Sequence, residues 1–156
     1  MDAERLRGWL LTLPHVVETM QWGANLVFWV GDKAIGCKMF ALINLEDPTP
    51  AGATPARRRV THHALMMYAA GPTRYPELLE LEGLIPAPYM ARAHWIAAER
   101  WDVFTPAEWQ RELHAAHALT LAKLPPKVRA TLALPATQRR RLIAQRRRQL
   151  AAKVKK

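Results

Sequence analysis

Two arginine triplets, Arg139-Arg140-Arg141 and Arg146-Arg147-Arg148, recur seven residues apart near the C-terminus, and Lys153, Lys155 and Lys156 follow them. The planar fork of a guanidinium matches a pair of phosphate oxygens, so this residue type in this pattern points to a polyanion. From Lys127 to Lys156 there are 11 Lys or Arg and no Asp or Glu, so nothing inside the segment competes for those cations. The 126 residues before it hold 12 basic and 13 acidic residues, a net charge of −1, and the chain's total of +10 therefore belongs to its last stretch. Contacts of this kind bind phosphate without reading a base, and they weaken steeply with salt. A third triplet, Arg57-Arg58-Arg59, lies in a stretch rich in proline and offers a second contact if it faces the same side. Two other readings fit the same charges: a solvated extension with no fixed partner, or a helix on an anionic membrane surface whose apolar stripe is Ile143, Leu150 and Val154.

Side chains that could carry other chemistry are sparse. His62-His63, His94, His114 and His117 invite a metal reading, but only Cys37 could add a thiolate, and no carboxylate completes a ligand set with His114 and His117. The expectation is no metal and no cofactor, with His114 and His117 on a partly exposed helix face. Cys37 lies between Gly36 and Lys38 in a stretch that reads as strand, where neighbours point to opposite faces, so it is expected to be structural. There is no glycine-rich phosphate loop, nucleophile elbow or pair of carboxylates at catalytic spacing, and the expectation is a protein that is not an enzyme. Six tryptophans raise the possibility of base stacking. Trp9 and Trp109 fall on helical apolar stripes and Trp29 inside a strand, which core packing explains first. Trp22, Trp95 and Trp101 stay open. Trp22, Lys38, Tyr89, Arg92, His94 and Trp95 could line one cleft, and the competing reading is a domain that binds a small molecule or a protein partner there, its tail a solvated extension.

The elements that must position these residues follow from pattern. At 156 residues, 50% of them hydrophobic and 23% charged, the chain has the length and balance of one globular domain with a tail: a body over 1–126 and a basic extension over 127–156. No run approaches the roughly 18 apolar residues of a membrane-spanning helix. One cysteine makes no internal disulfide, and Met1-Asp2-Ala3-Glu4-Arg5 opens without a signal-like apolar run, so a cytoplasmic location is expected. Asp2 caps a helix through Leu6, Trp9, Leu10 and Leu13 to Pro14. Leu26–Val30 and Ala34–Leu45 read as a hairpin about the turn Gly31-Asp32-Lys33. Further strands are expected over Ala64–Ala69 and Ala93–Glu99, with a short helix over Tyr75–Leu81 and Pro76 in its first turn. Thr105-Pro106-Ala107-Glu108 is a capping box that opens a helix through Trp109, Leu113, Ala116, Leu119 and Leu124. Thr137 is expected to cap a last helix that carries the arginine triplets.

Four strings recur in this order in a known family. They are Leu13-Pro14-His15-Val16-Val17-Glu18-Thr19 leading to Trp22-Gly23; Val30-Gly31-Asp32-Lys33 followed by Lys38-Met39-Phe40-Ala41-Leu42; Pro86-Ala87-Pro88-Tyr89 leading to His94-Trp95; and Leu121-Ala122-Lys123-Leu124-Pro125. Through them the chain resembles the MmcQ/YjbR family of small bacterial proteins from Met1 to about Lys127. The resemblance implies an α+β fold, an antiparallel β-sheet packed by helices in a CyaY-like architecture, and DNA binding of the double-wing kind. This chain has Ala24-Asn25 where the family usually has a His-Pro pair, and Ala91-Arg92-Ala93 where it usually has a basic Asn-Lys-Arg stretch. If those positions meet a phosphate backbone, the body has lost contacts and the tail is expected to supply the electrostatics.

Overall fold

The computed structural model describes residues 1–46 and 64–154. Asp2 accepts the Arg5 N–H and opens α1 (Ala3–Leu10), which buries Leu6 and Leu10. Three strands follow: β1 (Val16–Gln21), β2 (Asn25–Val30) and β3 (Lys38–Asn44). β4 (Met66–Ala69), α2 (Gly71–Leu78), β5 (Leu84–Pro86) and β6 (Trp95–Ala98) complete the sheet region. α3 (Pro106–Lys123), α4 (Pro126–Leu132) and α5 (Ala136–Val154) end the chain. The architecture is α+β, as expected, with one antiparallel sheet in the order β1-β2-β3-β4-β6-β5.

One face of the sheet presents Phe28, Val30, Phe40, Ile43, Met66, Tyr68 and Ile96 to α1 and α3, which answer with Leu6, Leu10, Trp109 and Leu113. Period-two alternation sends the neighbouring residues to the other face, where Trp95, Ala97 and Ala69 pack with Met39, Met67 and Met90. Both arms of the expected capping box are present: Thr105 Oγ1 accepts the Glu108 N–H at 3.2 Å and Glu108 accepts the Thr105 N–H at 2.8 Å. Within α3 the apolar stripe is interrupted by Glu112, which is buried yet satisfied: Tyr68 Oη donates to it at 3.0 Å and Arg74 Nη2 at 2.6 Å. Burial next to that carboxylate pushes the Tyr68 phenol far above its ordinary range.

Several expectations are corrected. β1 was not expected, and the short helix starts earlier, at Gly71 with Pro72 in its first turn, leaving Pro76 inside it. The strand expected from Ala34 starts only at Lys38. Gly31–Cys37 is a loop, folded by Asp32, whose Oδ1 accepts the Ala34 N–H at 2.9 Å and whose carbonyl accepts from Ile35 and Gly36. Cys37 thus sits ahead of β3 and half-buried, and burial together with Asp32 pushes its thiol up, away from thiolate chemistry. The last helix starts at Ala136, so Thr137 lies in its first turn and does not cap it. His94 precedes β6 in a left-handed conformation (φ 59°), so the strand expected from Ala93 starts only at Trp95. His117, expected at a partly exposed surface, is buried: its Nε2 lies 2.8 Å from the Pro14 carbonyl and donates to it, with the ring edge-on to Phe40 at 5.4 Å. Trp29 stands half-buried on the sheet face away from α3, its indole N–H donating to Thr19 Oγ1 at 2.8 Å.

The buried body continues past Pro126. α4 places Val128 and Leu132 in the main core cluster. Gly36, at φ 118°, approaches so closely that a Cβ there would stand 2.9 Å from a Val128 methyl, so only glycine fits where the loop meets α4.

Burial lowers the pKa of His117, and the Pro14 hydrogen bond opposes the shift without cancelling it. His15 is lowered too, by burial first and then by Arg139 and His117. The folded state therefore favours neutral imidazole while the unfolded chain takes its proton near pH 6.5. The stability these rings contribute is complete above that pH and is lost as pH falls through the lowered folded values. Urea midpoints at pH 7.5 and 5.5 are expected to differ less in a His117→Gln chain, whose amide still reaches the carbonyl, than in the native chain. An undiminished difference would show that His117 does not carry the effect.

Candidate nucleic-acid interface

α5 is 19 residues long and none of them is buried, so its seven Arg and Lys side chains are held by few neighbours. Its place on the body is set by polar ties. Arg139 Nη1 donates to the Leu134 carbonyl at 3.1 Å, satisfying the open C-terminal end of α4. Two turns on, Arg147 Nη2 makes a short ion pair with Asp32 Oδ2 in the Gly31–Cys37 loop. Asp32 is nearly buried, so this loop holds a carboxylate ready for one guanidinium of the second triplet. Arg146 bonds Gln149 at 3.2 Å and, with Lys127, borders a groove of about 490 Å³ between α4, α5 and the loop, floored by Ile35, Val128 and Leu142.

The triplets are thereby split. Arg139 and Arg147 are tied to the body, and Arg146 lies on its flank. Arg140, Arg141 and Arg148 are exposed with no acidic partner among the described residues, and Lys153 is exposed beyond them. Lys155, Lys156, Arg57, Arg58, Arg59, His62 and His63 lie outside the described residues.

The residues of the other candidate cleft are not brought together. Trp22 is 61% exposed in the turn between β1 and β2, at the sheet end marked by the pairs Gln21 with Asn25 and Asn25 with Asn44. Lys38 pairs with Val30 and Trp95 with Ala69 at the opposite end, a strand's length away. Trp95 is buried, so its ring offers no open face, while Tyr89 and Arg92 project into solvent nearby and His94 stacks edge-on against Tyr75 at 5.5 Å. Trp101 packs against Trp109. Among the described residues no three His, Cys, Asp or Glu gather to hold a metal ion, and no helix is long and apolar enough to cross a membrane.

Sequence reasoning missed the Asp32 seat and the Glu112 network. Asp32 read as turn punctuation, and its role depends on a residue more than a hundred positions away. Glu112 carried a visible signal, an acid on the apolar stripe between Trp109 and Leu113.

Known proteins give a consistent picture of the body. No curated protein matches the chain. The crystal structure of Deinococcus radiodurans protein DR2400, family-model domain DUF419, superposes with a TM-score of 0.66 over 86% of this chain and 89% of that one at 23% identity, which is a likeness of fold. The YjbR family model matches residues 11–119, which reaches from the end of α1 to within α3 and takes in the whole sheet. The chain belongs to the YjbR family.

Proposed function

We propose that this is a non-enzymatic, cytoplasmic protein that binds DNA through phosphate contacts made by α5, with little dependence on base sequence. The observation that carries the reading is the exposed row of Arg140, Arg141 and Arg148 on a helix that has no acidic residue, mounted on a body, residues 1–135, whose 14 basic and 13 acidic residues nearly cancel. Guanidinium groups that lack an internal partner are the ones free to displace counterions from a phosphate backbone. The neutral body adds no comparable field, so affinity follows the tail.

Fluorescence anisotropy with labelled random duplex DNA over a series of salt concentrations tests this. Replacing Arg140, Arg141 and Arg148 by Ala removes three contacts, and the slope of log K against log salt is expected to become shallower by about 2.7, near 0.9 per contact. A control that removes as much charge from the body, Lys38→Ala with Arg92→Ala and Arg111→Ala, is expected to leave the slope nearly unchanged. Equal slopes for the native chain and the tail variant would refute the reading.

A further inference from the structure

We infer that Asp32 competes with nucleic-acid phosphate for Arg147, so that the docked position of α5 restrains the surface that binds DNA. The inference rests on the function proposed above. A carboxylate and a phosphate present the same pair of oxygens to a guanidinium, and Asp32 Oδ2 occupies Arg147 Nη2 in the free protein. Asp32 is positioned for this from within its own loop, because its other oxygen is held by the Ala34 N–H. α5 has no buried residue to anchor it, so the pair with Asp32 is a main tie for its second half. Arg147 is also the member of its triplet that completes a pattern. Arg140 and Arg147 lie two turns apart, as do Arg141 and Arg148, so release of Arg147 turns three exposed guanidiniums into a patch of four.

Binding to random duplex DNA is measured across salt for the native chain, Asp32→Asn, Arg147→Ala and the double variant. Asn keeps an oxygen for the Ala34 N–H and removes the charge. Asp32→Asn is expected to bind about tenfold tighter at low salt, the worth of one charged hydrogen bond, and to steepen the salt slope by about 0.9. In the Arg147→Ala background the same change is expected to do neither. An equal gain in both backgrounds would reduce the effect to loss of a nearby negative charge and overturn the inference. So would a native chain that binds DNA with Asp32→Asn binding no better. A native chain that does not bind at all removes the proposed function, and the competition goes with it. Hydrogen exchange without DNA gives an independent check: the amides of α5 are expected to exchange faster in both Asp32→Asn and Arg147→Ala, and unchanged rates in both would show that the pair does not hold the helix.

Discussion

A Trp109→Ala chain is expected to lose about 3–5 kcal/mol of stability, the range for truncating a fully buried aromatic side chain. Against a total of about 5–15 kcal/mol for a domain, that leaves it partly unfolded at moderate temperature. Trp109 is 0% exposed at the centre of the layer between α3 and the sheet. Phe104 meets it edge-on at 5.0 Å, Trp101 lies at 5.8 Å and Tyr68 at 6.4 Å, while its indole N–H donates to the Trp101 carbonyl at 2.9 Å. Alanine leaves a cavity bounded by rings that cannot all collapse inward, and it strands that carbonyl. Urea denaturation of the two chains measures the difference, and a loss below 1 kcal/mol would mean that α3 is not seated as described.

What could be read from the sequence was local, and what could not was set by distant neighbours. Thr105 and Glu108 form a closed unit within one turn, so the start of α3 was legible from four letters. β1 was not. Its core-facing row includes Glu18, set opposite Phe28 by the register with β2 and met by Arg7 of α1 at 2.5 Å, and that acid spoils the apolar alternation by which a half-buried strand is recognised. The Gly31–Cys37 segment misled in the other direction. Ile35 and Cys37 suit a strand, but Asp32 folds the loop back on itself through three hydrogen bonds. The arginine triplets were legible as a charge, not as six side chains with different duties, because Asp32 and the Leu134 carbonyl select Arg147 and Arg139 through tertiary approach. The supposed cleft failed on register. Trp22 and Trp95 read as partners by residue type, but the antiparallel pairing puts them at opposite ends of the sheet.

Two shortened chains separate the folded body from the basic helix. A chain that stops at Pro126 discards Val128 and Leu132, both of which are in the core cluster, and is expected to be destabilised by about 3–6 kcal/mol at about 1.5–3 kcal/mol for each buried side chain. A chain that stops at Pro135 keeps both, keeps the contact of Val128 with Gly36, and loses only a helix with no buried residue. Its denaturation midpoint is expected to stay close to that of the full chain, with DNA affinity falling away because the arginine triplets are gone. The physical reason for the contrast is that α4 and α5 are alike in sequence charge but not in what their apolar faces meet. Val128 and Leu132 stand four apart, on one face, beside a loop whose glycine admits them, while Ile143, Leu150 and Val154 stay at or near the surface. Similar stability for the two shortened chains would show that α4 adds nothing to the core, and DNA affinity retained by the Pro135 chain would move the binding surface from α5 to the body.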